Sequence, residues 1–158
     1  MTLDETDIAI LRELQADSRL SVRQLAARVH RSPTPVHERL HRLEESGILR
    51  AYTIDIDREL AGASFTVFCN VKLKHINSDI HESFAAAVRS MSEVSECHNI
   101  SGDWDYMLKV EVPDMKSYRS FVTDTLGSLP MLDSVHSVFV MSTIKQVPAP
   151  LYKADRKG

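Results

Sequence analysis

Two stretches of the chain carry residue types that could do chemistry. Between Ser18 and Leu43 the charged residues are Arg19, Arg23, Arg28, Arg31, Arg39 and Arg42 against a single acid, Glu38. The net charge of the whole chain is -3, so this arginine field stands out locally and suits a small phosphate footprint rather than a polybasic coat. The second stretch is Gly102-Asp103-Trp104-Asp105. A tight Gly-Asp turn exposes backbone N–H groups to a carboxylate, and Asp103 or Asp105 can take an ammonium. A plain hairpin turn with a solvated Asp105 fits the same residues. His37 and His41 have i, i+4 spacing, which could hold a metal, but no third ligand is near, so no metal site is expected. Cys97-His98 and His81-Glu82 are the pairs an enzyme would use. Adjacent strand residues point to opposite faces, so Cys97 and His98 cannot easily form a nucleophile–base pair, and neither a cofactor nor catalysis is expected. Cys69 and Cys97 read as two free thiols.

Three short helices must position the arginine field. Asp4 is an N-cap ahead of the stripe Ile8, Leu11 and Leu14. Ser21 and Gln24 form a capping box ahead of Val22, Leu25, Ala26 and Val29. Ser32 caps a third helix with Pro33 at its first position, Val36, Leu40 and Leu43 on one stripe, and Gly47 at its end. The second and third helices, joined by a tight turn, read as a helix-turn-helix. With the stripe inward, Thr34, Glu38, His41 and Glu45 point outward, flanked by Pro35, Arg39 and Arg42. A recognition helix enters the major groove with its N-terminal part. Ser32, Thr34, Pro35 and Glu38 then approach base edges, Glu38 toward cytosine N4 and Arg42 toward guanine or a phosphate, while free N–H groups at Ser21 and Ser32 face phosphates.

After an extended connector, with Tyr52, Ile54 and Ile56 on one side, the periodicity changes. Phe65 to Leu73 alternate as a strand, and Ile80, Phe84, Ala87, Val88 and Met91 recur at helical spacing. Val94 to Ser101 is extended, and Trp104 to Val112 alternate again. Met115, Tyr118, Val122, Leu126 and Leu129 mark one helix, and Val135 to Ile144 a last strand. The fold class is therefore α+β: a tri-helical helix-turn-helix over 1–49, a linker over 50–62, a ferredoxin-like βαββαβ unit over 63–147 and a tail over 148–158. Both helices cover one sheet face. The other, with Phe68, Met107 and Phe139 expected on it, predicts a homodimer of packed sheets that presents two recognition helices to a pseudo-palindromic duplex. No apolar run approaches the roughly 20 residues of a membrane span, and the first residues have no signal-peptide pattern, so a cytoplasmic protein is expected.

The chain resembles the Lrp/AsnC family of leucine-responsive regulatory proteins over about Leu3 to Gln146. The resemblance rests on Leu3-Asp4-Glu5-Thr6-Asp7-Ile8, Arg31-Ser32-Pro33-Thr34-Pro35, Arg39-Leu40-His41-Arg42-Leu43-Glu44 with Gly47-Ile48, Glu96-Cys97-His98, Ser101-Gly102-Asp103-Trp104-Asp105-Tyr106 and Val112-Pro113-Asp114-Met115. It implies a sequence-specific transcription regulator, nucleoid-associated, whose dimers assemble to an octamer or similar multimer. A small amino-acid effector would bind between dimers and shift assembly or DNA affinity. The implied pocket centres on Gly102, Asp103 and Asp105, with Asn99, Met115, Phe139 and Val140 beside it. Trp104 stands where the family usually has a smaller residue, so the effector's identity does not follow. The competing reading is an amino-acid-binding module that acts on a protein partner. It leaves Ser32-Pro33-Thr34-Pro35 and the arginines without a role.

Overall fold

The computed structural model describes residues 2–152 apart from 59, 63, 64 and 76. The chain forms two compact units, one built from the described residues up to Asp55 together with those from Lys145 onward, the other from Ile56 to Ile144.

The first unit holds α1 (Glu5–Ala16), α2 (Val22–Arg28) and α3 (Pro33–Glu45). Both expected capping boxes form. Asp4 accepts from the Asp7 N–H while Asp7 reaches back to the Asp4 N–H, and Ser21 and Gln24 exchange the same pair of bonds. Each satisfies two backbone donors that a helix start otherwise leaves to water. Ile10, Leu11, Leu14, Leu25, Ala26, Val36 and Leu43 make the core. Full burial of each aliphatic side chain contributes about 1.5–3 kcal/mol. Leu151, in the segment expected as a tail, packs against this core, whereas 153–158 of that segment lie outside the described residues.

The second unit runs β1 (Phe65–Leu73), α4 (Ser78–Arg89), β2 (Val94–Asn99), β3 (Tyr106–Val112), α5 (Met115–Ser120) and β4 (Leu132–Phe139). The sheet order is β2-β3-β1-β4, with every neighbouring pair antiparallel, the ferredoxin-like arrangement expected from the sequence. Val67, Cys69, Val71 and Leu73 of β1 and Tyr106, Leu108, Val110 and Val112 of β3 pack with Phe84, Val88, Tyr118, Phe121 and Leu126 beneath the helices.

Three expectations are corrected. The single helix expected from Met115 to Leu129 changes pitch: Phe121–Leu126 is a π-helix, and the Gly127 N–H bonds to Val122 O at 2.9 Å. The wider turn buries Phe121 and leaves Val122 only half-buried. The last strand is Leu132–Phe139 rather than Val135–Ile144, and Met141 and Ile144 are exposed. Phe139 is not on the open face. It pairs with buried Val67, and its ring meets Tyr118 edge-on at 5.5 Å, which places it on the helix side. The open face carries Phe68, Met107 and Val138 among Lys72, Lys109, Glu96, Glu111, His98 and His136, and so is more polar than expected. On it Lys109 bonds Glu96 at 3.0 Å.

Candidate functional site

The helix-turn-helix is built from a short α2, a one-residue reversal and a rigid start to α3. His30 takes a left-handed φ of 52°, and the Arg31 N–H bonds back to Ala26 O at 2.9 Å, which ends α2 sharply. Ser32 occupies the N-cap of α3, but its side chain makes no capping hydrogen bond. Pro33 and Pro35 have no N–H to cap and pre-set the helical φ, so the helix start is rigid without the serine hydroxyl. That hydroxyl stays available at the surface. Ser32, Thr34, Pro35, Glu38 and His41 are all exposed while Val36 and Leu43 are fully buried, so α3 presents its first turns outward. The His41 Nε2 lies 3.3 Å from Glu45. The Ser21 Oγ is taken by the capping box with Gln24. Among the described residues no cluster of three metal-ligating side chains occurs.

Arg39 and Arg42 are not the free cations the sequence suggested. Arg39 Nη1 lies 2.6 Å from Asp4 and 2.7 Å from Asp7, and Arg42 Nη2 lies 3.0 Å from Asp7 Oδ1 and 3.3 Å from Oδ2. The Asp7 side chain is 2% exposed, Arg39 28% and Arg42 52%. The hydrogen bond from the Asp7 N–H first, and the Arg39 guanidinium second, hold the Asp4 carboxyl below its ordinary range, and the same aspartates raise Arg39. These acids read from sequence as first-turn residues alone. Asp7, however, lies four and seven residues before Leu11 and Leu14, on the apolar stripe, and an acid on a buried stripe signals a charged partner elsewhere. Arg28 bonds Glu13 at 3.1 Å and Arg19 pairs with Asp17.

The residues expected around an effector fall at two ends of the sheet. Asn99 ends β2, and Gly102, Asp103, Trp104 and Asp105 lie in the connection to β3. Gly102 has φ 109°, a conformation that favours glycine. Asp103 is exposed, and Trp104 stacks on His136 with ring centres 5.8 Å apart. Asp105 is neither a solvated strand residue nor a free anion. It is buried, and its Oδ2 accepts from the Leu73 N–H at 2.8 Å, with Lys72 Nζ 3.5 Å from Oδ1. Its N–H donates to Val71 O, and its carbonyl accepts from the Ile100 N–H and from Asn99 Nδ2. The N–H and carboxylate of Asp105 thus fasten the loop to the end of β1, while its carbonyl closes the loop on itself. Met115, Phe139 and Val140 lie at the opposite end, where the Val140 N–H bonds Thr66 O. Five strand steps separate Thr66 from Val71, roughly 17 Å. One chain does not bring the two groups together. A cavity of about 330 Å³ between α4 and β2, lined by Val88, Arg89, Cys97, Asn99 and Tyr106 among others, shares only Asn99 with the expected set.

A helix-turn-helix unit joined to a ferredoxin-like unit defines a DNA-binding regulator with a separate ligand-sensing part. Comparison with known proteins agrees with both halves. Residues 3–50 match the winged helix-turn-helix DNA-binding family profile, and residues 66–150 match the Lrp/AsnC ligand binding domain. The chain is 43% identical to the leucine-responsive regulatory protein of Salmonella typhimurium over 144 residues, covering 91% of this chain and 88% of that protein. The Escherichia coli K12 protein of the same description is 42% identical with the same coverage. A transcriptional regulator from Neisseria meningitidis, solved with L-Met, superposes with a TM-score of 0.89 at 38% identity, covering 96% of this chain and 97% of that one. An AsnC family regulator from Agrobacterium tumefaciens superposes at 0.88 with 33% identity, covering 93% and 95%. The chain belongs to the Lrp/AsnC family and is a transcription regulator, not an enzyme.

Proposed function

We propose that the first turns of α3 read base edges in the major groove, with Ser32, Thr34, Pro35, Glu38 and His41 at the DNA surface. Non-specific attraction then comes from arginines outside the Asp4–Asp7 cluster, Arg23 and Arg31 above all. The carrying observation is that Ser32, Thr34, Pro35, Glu38 and His41 are exposed along this helix while Val36 and Leu43 anchor its other side. Such a surface on a short helix suits a groove about 12 Å wide.

The effector in this reading is a small, mostly apolar amino acid. The Neisseria relative holds L-Met, and the Salmonella and E. coli relatives are leucine-responsive. The Gly102–Asp103 turn supplies polar groups for the zwitterion, with Trp104 as an apolar wall. Met115, Phe139 and Val140 sit roughly 17 Å along the sheet, so they complete the site only from a second copy. This supports a pocket made between protomers. Homodimers on a pseudo-palindromic duplex, assembled further to an octamer or similar multimer in the cytoplasm, follow from the same reading.

Two measurements test it. Mobility shift at about 0.1 M salt on duplexes recovered from a random library is expected to show a defined recognition sequence; equal affinity for a scrambled duplex refutes the α3 assignment. A thermal-shift screen against the twenty amino acids is expected to raise Tm for at least one, since a ligand of the native state stabilises it. No shift at millimolar ligand refutes the effector.

A further inference from the structure

Helix α3 carries no net positive charge. Its sequence, Pro33 to Glu45, has three glutamates, Glu38, Glu44 and Glu45, against two arginines, Arg39 and Arg42. Those two are the arginines that α3 itself carries, and both are turned onto α1. The Asp7 carboxylate accepts from Arg39, from Arg42 and from the Asp4 N–H, while the Asp4 carboxylate takes Arg39 again. Two guanidiniums meet two carboxylates, so the cluster is close to neutral.

We propose that Asp7, seconded by Asp4, is a positioning residue that limits sequence-independent DNA affinity: it withholds Arg39 and Arg42 from DNA phosphates. The inference rests on α3 being the reading helix. Arg42 is half-exposed and held from one side only, so a guanidinium freed from Asp7 has room to swing out. A phosphate contact adds affinity to every duplex alike, whereas base contacts add it to one. Two arginines free beside the groove would therefore raise binding to every sequence by a similar factor and add nothing to the discrimination made by Ser32, Thr34 and Glu38. Pairing them internally leaves the reading to the helix start and also fixes how α3 is rolled against α1. The cluster itself is those four side chains; in sequence, Glu5 shares the first turn of α1 and Glu38 adjoins Arg39 on α3.

The test uses the full chain, a duplex selected from a random library by the unaltered protein, and a scrambled duplex of equal composition. Binding is followed by anisotropy between about 50 and 300 mM salt. Asp7→Asn keeps the size of the side chain and removes its charge. It is expected to steepen the slope of log K against log salt by about 1–2, close to 0.9 for each released guanidinium that gains a phosphate. Affinity for the selected and the scrambled duplex rises about three- to tenfold in each case, and their ratio changes little. Asp4→Asn retains a good N-cap and partners only Arg39, so it is the milder version and decides the matter where Asp7→Asn fails to fold. Its slope steepens by up to about 1. Asp7→Asn combined with Arg42→Gln returns the slope toward the starting value.

A merely structural role weakens binding to both duplexes; that result in folded Asp7→Asn or Asp4→Asn overturns the proposal, as does an unaltered slope. Failure of the underlying reading looks different. The unaltered protein then selects no duplex at all, and the proposal falls with it.

Discussion

Replacing Asp105 with alanine removes a carboxylate that is 8% exposed and leaves the Leu73 N–H with no acceptor at the buried end of β1. An unsatisfied buried donor costs about 1–3 kcal/mol. The Lys72 contact, at 3.5 Å with Lys72 35% exposed, adds about 0–1 kcal/mol after solvent screening. The sum runs from about 1 to about 4 kcal/mol; its centre, about 2 kcal/mol, is a large share of the 5–15 kcal/mol that typically holds a domain together. With m of about 2 kcal/mol/M, that central value lowers the urea midpoint by roughly 1 M. Melting falls by about 4–8 °C, at roughly 2–4 °C for each kcal/mol. Asp105→Asn keeps a carbonyl acceptor for Leu73 and is expected to lose less than half as much. Urea unfolding followed by circular dichroism measures all three proteins. An alanine variant whose midpoint lies within about 0.2 M of the unaltered chain refutes the assignment of Asp105 as the residue that ties the loop to the sheet.

Three other perturbations follow from the geometry. A Cβ on Gly127 would sit 2.7 Å from Val122 O and 2.9 Å from Thr123 O, both backbone, so Gly127→Ala is expected to cost about 1–3 kcal/mol. Urea unfolding that shows no loss contradicts the tight π turn. The left-handed backbone of His30 suits glycine: His30→Gly is expected to match or exceed the starting stability, whereas β-branched His30→Val loses about 1–2 kcal/mol. Equal losses in both variants count against the turn. Burial first, and the hydrogen bond to Glu44 second, push the Tyr52 phenol up to about 12. The unfolded chain releases that proton near the ordinary 10, so this contribution to stability is lost as pH rises from about 10 to 12. The difference in absorbance at 295 nm between the unaltered chain and Tyr52→Phe is expected to titrate with a midpoint near 12; a midpoint at 10 removes the bond.

Helix starts and strand order were legible because they are local or periodic. Asp4 with its first-turn acids and Ser21 with Gln24 carry their caps within four residues, and the switch from period 3.6 to period 2 after Gly62 marks the second unit. What sequence did not show depends on distance along the chain. The partners of Arg39 and Arg42 lie over thirty residues away, so a guanidinium that looked free is spoken for. Asp105 allowed a solvated reading because nothing local reveals that the end of β1 needs an acceptor. Phe139 was placed on the wrong face because alternation along a strand separates two faces without saying which one the helices cover; the pairing of Phe139 with buried Val67 decides it. The exposed start of α3 was legible, since Val36 and Leu43 fix the roll of the helix through their own burial.

The π segment after α5 also says how this part of the chain can change in length. Its turns hold an extra residue compared with an α-helix making the same number of contacts. Such a bulge behaves as slack: dropping one residue from Phe121–Leu126 lets the segment tighten to ordinary pitch while Tyr118 before it and β4 after it keep their places. A one-residue deletion there is expected to be absorbed, whereas the same deletion inside α4 rotates Phe84 or Val88 out of the interior by about 100°. Natural variants of this regulator are therefore expected to differ in length at this point sooner than in any other helix of the unit.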